Sequence, residues 1–310
     1  MEQQKQNTPV LVVMAAGMGS RFGGLKQITP VDEAGHTLME YAIYDAFRGG
    51  FRDVLFIIRG SFEDEFREKI GNRVADRMNV SYVRQELDML PEGCELPEGR
   101  EKPWGTTHAL FCCREALDGR PFLTVNADDY YGVESFRIAY NYLAEENADE
   151  DCHGIIGYEA VKTLSEKGTV SRGICKTDED GALLRIDERK VIKLENGLGY
   201  FTLDHGETWE AIPQDAKASM NMWAFRAGFL KDQSVSFPDR LRRGIAENPI
   251  KFEETLSDAV QDMMDRGKAR AVVLPTPSTW FGMTYKEDMD AVIRDLAELT
   301  EKGVYPQGEW

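Results

Sequence analysis

Apolar residues in this chain arrive in short blocks separated by polar and glycine-rich stretches. Val10–Met14 reads VLVVM and residues 54–58 read VLFII, with shorter apolar runs at 80–83 and 121–125. Runs of this kind suit strands covered on both faces of a sheet. Between them the apolar positions take helical spacing. Thr37 and Glu40 form a capping-box pattern ahead of Tyr41, Ile43, Tyr44 and Phe47, which predicts a helix from near Leu38 that Gly49 and Gly50 stop. Further helices are predicted from Ser61 to about residue 70, over 107–117 and over 135–143. Strand, helix, strand, helix, strand is the succession of an α/β sheet with crossover helices.

The second half changes texture. Residues 154–160, 173–176, 183–186, 219–225 and 269–274 read as strands, with turn chemistry in DEDG at 178–181. Residues 256–266 carry an amphipathic helix pattern. Thr284 and Glu287 repeat the capping box and open a helix to about residue 299. With no internal repeat and no linker, one domain is expected over 8–300, followed by a tail at 301–310. Its first part, to 150, is the nucleotide-type half; the second, 151–300, is more irregular. Residues 85–104, QELDMLPEGCELPEGREKPW, interrupt the rhythm with a long excursion that reads as a lid or as a disordered segment.

Composition narrows the function classes. Hydrophobic residues at 42% and charged residues at 29% argue against disorder for the bulk of the chain. A net charge of −17 disfavours a binder of nucleic acid or anionic lipid, though a few focused cations can still hold a small anionic substrate. Cys94, Cys112, Cys113, Cys152 and Cys175 show neither a disulfide framework nor zinc spacing, and suit a reducing compartment. The polar start MEQQKQNTP lacks a signal-peptide pattern, and no apolar run reaches spanning length. The expected address is the cytoplasm, with no membrane and no nucleic-acid partner.

The most informative local pattern is the apolar strand followed at once by AAGMGSRFGGLKQ at 15–27. Gly17, Gly19, Gly23 and Gly24 let backbone amides approach a phosphate without Cβ interference, and Arg21 and Lys26 supply cations inside the loop. A dinucleotide fingerprint would need glycine where Phe22 stands, and no GK[ST] ending marks a Walker-type loop. The plain alternative is a tight surface turn with solvent-facing cations. At the end of the strand at 121–125 lie Asp128 and Asp129, at the edge where open α/β sheets bind ligands. The plain alternative there is a capped turn. None of the four histidines, His36, His108, His153 and His205, has metal-motif spacing to another.

Four ordered segments together resemble the sugar-phosphate nucleotidyltransferases, also called nucleoside-diphosphate-sugar pyrophosphorylases. They are the loop with Gly17, Gly19, Arg21 and Lys26; the Gly105-Thr106-x-His108-Ala109 stretch; Asn126-Ala-Asp128-Asp129; and Ser219-Met-Asn221-Met-Trp223. The similarity runs from about residue 8 to 300. It implies a glycosyltransferase-A-like, Rossmann-like α/β fold, with a central mixed and mostly parallel sheet flanked by helices. The implied reaction condenses a nucleoside triphosphate with a sugar 1-phosphate and releases pyrophosphate, with Mg2+ as cofactor.

Residue by residue, the resemblance implies nucleotide contacts from Ala15, Ala16, Gly17, Gly19, Ser20, Gln85, Gly105, Thr106 and His108. It implies catalytic roles for Arg21, Lys26 and Asp128, with the metal at Asp128 and Asp129. Glu188, Lys193 and Asn221 are the implied sugar-phosphate contacts, with Arg189 where relatives carry lysine. Trp209, Trp223 and Trp280 are candidates to pave a sugar cleft, core packing being their default. One departure stands out: relatives supply a second metal carboxylate near the chain end, and here Gly282 holds that place. Uridine nucleotide is one candidate substrate, and a homo-oligomer is one candidate assembly. Alternatives are cytidylyl or other nucleotidyl transfer to a phosphorylated alcohol such as choline phosphate, and a catalytically weak nucleotide-binding regulatory protein. A glycosyltransferase fits less well, because no D-x-D motif stands near Asp128.

Overall fold

The computed structural model describes residues 8–17, 28–166, 168–283 and 288–308. Its centre is a parallel block in which β1 (Val10–Met14) lies between β2 (Asp53–Ile58) and β4 (Phe122–Asn126), with β3 (Asn79–Arg84) outside β2. These strands are Val-, Leu- and Ile-rich because both their faces are covered. Leu11, Val13, Phe56 and Val125 pack on one side, and Val12, Leu55, Ile57 and Phe122 on the other. Met14 is level with both Ile57 and Asn126, so the carboxyl ends of neighbouring strands finish along one edge.

Beyond β4 the sheet turns antiparallel. β11 (Lys217–Phe225) pairs with β4, with β6 (Cys152–Glu159) and with β7 (Val170–Thr177). β8 (Leu183–Glu195), β9 (Leu198–Phe201) and β10 (Glu210–Ala211) extend it outward, and β12 (Arg270–Pro275) adds parallel to β6. Eleven strands of the described residues thus share one mixed sheet. A separate pair joins β5 (Asp129–Tyr130) to β13 (Phe281–Gly282).

Helix α1 (Leu38–Gly49) carries the predicted capping box: Thr37 Oγ1 accepts from the Glu40 amide, and the Glu40 carboxylate accepts from the Thr37 amide. α2 (Thr106–Cys112) is shorter than its pattern predicts, because the chain breaks at Cys113 before a further turn at Arg114–Leu117. α3 (Val133–Leu143) follows β5. α4 (Gly228–Glu247) has no counterpart among the predicted elements; it is largely polar and holds Pro238 in its interior, a residue that ordinarily ends a helix. α5 (Leu256–Asp265) matches its pattern and α6 (Met289–Glu301) ends the fold, while Thr284 and Glu287 of the second expected capping box lie outside the described residues.

Segment 85–104 packs against the body of the fold and is not free-standing. It folds back onto α4, where Leu87, Leu90 and Cys94 join Trp104, Phe111, Phe237 and Leu241 in one apolar cluster. Trp104 Nε1 donates to the Leu87 carbonyl at 2.9 Å. Arg100 donates to the carbonyls of Pro249, Pro103 and Phe252 while its guanidinium lies 3.5 Å from the Trp104 ring centre. That one arginine ties three backbone carbonyls, from the end of the segment and from 249–252, together. All five cysteines are free, and no described helix is long and apolar enough to cross a membrane.

Candidate functional site

The common strand edge opens into a cleft of about 270 Å³. Ala16 and Gly17 reach it from the end of β1, Gln85 from the end of β3, Gly105 and Thr106 from the start of α2, and Asn126 and Asp128 from the end of β4. Ala15 is fully buried in the core and donates its amide to the Ile57 carbonyl, which aims the chain out of the sheet at Ala16. The Ala16 carbonyl accepts from Arg59 Nε at 3.1 Å. Gly19, Ser20, Arg21 and Lys26 lie outside the described residues. The start of the glycine loop and Asp128 therefore face the same cleft, as their strand-end positions predict.

A polar chain runs from the floor of the cleft towards the antiparallel half. Asn221 Nδ2 donates to Asn126 Oδ1 at 2.9 Å, and Asn126 Nδ2 donates to Asp129 Oδ2 at 2.8 Å. Tyr131 also donates to Asp129 Oδ2, at 3.2 Å. Asn221 sits where the β11–β6 register shifts and has φ +60°, a left-handed conformation that asparagine tolerates better than most residues. Asp128 is half-buried and Asp129 is 8% exposed.

Gly282 pairs with Asp129 across the β13–β5 ladder, and a Cβ built on it would run into Asp129 Oδ1. The Asp129 carboxylate occupies the volume where a side chain at 282 would begin. Among the described residues no group of three His, Cys, Asp or Glu side chains gathers as a metal site. One or two carboxylates beside substrate phosphates suffice for magnesium, which keeps much of its water, so the donor set fits Mg2+ and not a zinc-type cage.

His108 departs from expectation. It is 0% exposed and lies beneath the cleft wall, with Nε2 2.7 Å from the Met89 carbonyl and Nδ1 3.2 Å from Gln85 Nε2. Burial lowers its pKa. Both ring nitrogens are engaged, so it cannot touch a nucleotide directly. Gly105 is a point of close approach: its φ is +99°, and a Cβ there would strike the Glu254 backbone. Glycine is required on both counts.

Lys193 is a second correction. It lies five positions beyond Glu188 on β8, about 17 Å along the strand. There it pairs with Glu195 at 2.8 Å and covers the Trp209 ring at 4.4 Å, so it does not join the cleft. Arg189 is likewise committed, to Asp187 and the face of Phe201. Glu188 is exposed and accepts from Ser171 Oγ at 2.6 Å, level with Gly173 and Ser219. Trp223 is core, stacked on Phe225; of the three tryptophans weighed for a sugar cleft, Trp280 lies beside Asp129 across Gly282.

Two cations at this edge carry no motif. Arg59 follows β2 directly, a strand-end position that points to the ligand edge once the strand is known. Arg172 on β7 lies over Trp280 at 4.9 Å and donates to the carbonyls of Thr163 and Ser171, with no carboxylate in ion-pair contact among the described residues. Burial lowers its pKa, and the negative charges of Asp129 and Glu188 oppose that shift. It is a cation held in place by neutral acceptors, its charge still available to an anion. Nothing in the local sequence distinguishes it from Arg185 or Arg189.

Solved structures that share this fold include three that match along nearly their full length. The inositol-1-phosphate CTP transferase from T. maritima matches at TM-score 0.61 and 12% identity, covering 95% of this chain and 97% of that one. A UDP-glucose pyrophosphorylase complexed with UDP-glucose matches at 0.56 and 17%, covering 94% and 98%. The UTP-bound UGPase from Acinetobacter baumannii matches at 0.54 and 13%, covering 96% and 95%. No protein-family model and no curated protein matches the chain.

Proposed function

We propose that this protein is a magnesium-dependent nucleotidyltransferase that joins a nucleoside triphosphate to a phosphorylated sugar or sugar-like alcohol and releases pyrophosphate. The observation that carries this reading is the convergence of Ala16, Gly17, Gln85, Gly105, Thr106 and Asp128 on one cleft. The fold is shared along nearly the full length of an inositol-1-phosphate CTP transferase, a UDP-glucose pyrophosphorylase complexed with UDP-glucose and a UTP-bound UGPase. Those three proteins span two bases and two kinds of acceptor.

In this reading a phosphate oxygen of the acceptor attacks the α-phosphorus of the triphosphate. The new P–O bond forms as the bond to the β-phosphate bridging oxygen breaks, and pyrophosphate leaves with the electron pair. The acceptor oxygen is already anionic, so no side-chain base is needed; the work is positioning and charge stabilisation. Gly17 and Gly105 let backbone approach the nucleotide, and Gln85 faces its base. Arg21 and Lys26, assigned by resemblance, take the triphosphate charge. Asp128, with Asp129 behind it, would hold magnesium, which spreads charge at the reacting phosphates. Asn126, Asn221 and Glu188 serve the acceptor hydroxyls, and Arg172 rather than Lys193 serves its phosphate. The sheet running unbroken from β3 to β10 supports both halves acting as one catalytic unit.

The test is pyrophosphate release with four nucleoside triphosphates crossed against sugar 1-phosphates, inositol 1-phosphate and choline phosphate, with Mg2+. Release with one base–acceptor pair well above the others is expected. Tight nucleotide binding with no release for any pair would instead identify a binding or regulatory protein.

A further inference from the structure

The nucleotide reading leaves His108 without a direct role, although it is the most completely engaged histidine beside the cleft. Its surroundings determine its hydrogens. The Met89 carbonyl can only accept, so Nε2, 2.7 Å away, carries the proton, and Cys112 Sγ at 3.7 Å is a weak further neighbour. Nδ1 is then a bare lone pair that must accept, and Gln85 Nε2 at 3.2 Å is the donor it meets. The Gly105 carbonyl, also an obligate acceptor, takes the second hydrogen of the same Nε2 at 3.2 Å. Two carbonyls at the ends of this chain thus leave one consistent arrangement: both Gln85 amide hydrogens point into the protein. Gln85 Oε1 accepts no bond from any described residue, and Gln85 lines the cleft.

We infer that His108 is a positioning residue that locks the Gln85 amide in one orientation, so that the cleft presents a carbonyl oxygen and selects a base edge offering an N–H there. This rests on the proposed nucleotide site and adds its selectivity device. An unsupported glutamine can rotate its amide and present either a donor or an acceptor, which costs discrimination. Here rotation would set Oε1 against the Gly105 carbonyl and the Nδ1 lone pair, two acceptor–acceptor contacts. The same arrangement gives the 85–104 excursion a purpose, since it supplies the Met89 carbonyl that sets the tautomer.

Three measurements test it. In the wild-type protein, 15N spectra of the His108 imidazole at neutral pH should show Nε2 protonated and Nδ1 bare; a protonated Nδ1 overturns the inference with no activity measured. His108→Phe keeps the ring volume and removes the acceptor. It should lower the ratio of kcat/KM between the preferred and the less preferred pyrimidine triphosphate by about tenfold, the worth of one hydrogen bond, leaving kcat at saturating preferred nucleotide within about twofold. His108→Asn, whose Oδ1 can stand in for Nδ1, should recover most of that ratio, and it keeps the test open if the Phe variant does not fold. A ratio unchanged in Phe, or lost equally in Phe and Asn, sinks the inference while wild-type calorimetry still shows nucleotide binding. Calorimetry that finds no nucleotide bound by the wild type sinks the nucleotide site itself and this inference with it.

Discussion

The two halves of the sheet handle charge in opposite ways. In the parallel block, strands end together, and residues far apart in sequence, Gly17, Gln85 and Asp128, meet at one edge. In the antiparallel extension the charged residues run along strands, and several neutralise each other locally: Arg185 with Asp187, Lys193 with Glu195, Arg189 with Asp187. Strand direction accounts for the difference. Parallel strands share a carboxyl edge, whereas antiparallel neighbours alternate theirs, so a motif placed at a strand end predicts a site in the first block far better than in the second. Arg172 is the cation of this half that reaches the first block's edge, because β7 brings it back to Trp280.

The contrast can be broken most directly at Asp128. Asp128→Asn is expected to reduce turnover by about 10²-fold or more while leaving the folded far-UV spectrum unchanged; wild-type turnover with Mg2+ would remove it from the site. Arg172→Met should next lower kcat/KM for the phosphorylated acceptor by roughly ten- to a hundredfold, the worth of a charge-assisted bond. Directly measured nucleotide affinity should stay constant. An equal loss in nucleotide binding would assign Arg172 to the other substrate.

Gly282→Ala presses a methyl into Asp129 and should destabilise the fold by about 1–3 kcal/mol in urea titration. An unchanged midpoint would mean that the carboxylate moves aside freely. Behind that pair, Asp45 is fully buried, accepts from Tyr305 at 2.7 Å, and is pushed up to about 7 by burial. The folded state therefore keeps a proton that the unfolded chain releases above 3.8, and that contribution is lost as pH rises towards about 7. Asp45→Asn should gain stability relative to wild type across this window. A difference in melting temperature that does not change with pH would refute the shift. The smallest effect is expected at Lys193→Ala, with acceptor kcat/KM within about twofold of wild type because exposed ion pairs contribute little; a tenfold loss would return Lys193 to the site.

Much of this was legible from local pattern. The VLVVM strand, the Thr37–Glu40 capping box and the strand-end positions of Gly17 and Asp128 follow from periodicity and from the backbone demands of glycine, and the structure places them accordingly. α4 escaped because its surface is polar and Pro238 interrupts it; packing of Phe237 and Leu241 against Trp104 and Phe111 outweighs the missing hydrogen bond. The resemblance implies a nucleotide contact from His108 because it belongs to the Gly-Thr-x-His-Ala stretch that begins at Gly105. On a helix, though, side chains one position apart face different ways: Ala109 lines the cleft, whereas His108, one position before it, faces inward to Met89.

By itself, the sequence determined where strands and helices run in the first half, which loop has the glycines to approach a phosphate, and which carboxylates end a strand. Those properties depend on neighbours a few residues away. Tertiary structure alone decided which charges stay available. Lys193 and Arg172 are equally cationic in the sequence, but Glu195 neutralises one, while β7 carries the other to Trp280 and gives it carbonyls as partners. It also decided that a buried imidazole and a backbone carbonyl orient the amide at the cleft wall. A hydrogen bond or ion pair extends only a few ångströms, and the chain separations that close these contacts are set by the packing of the whole sheet.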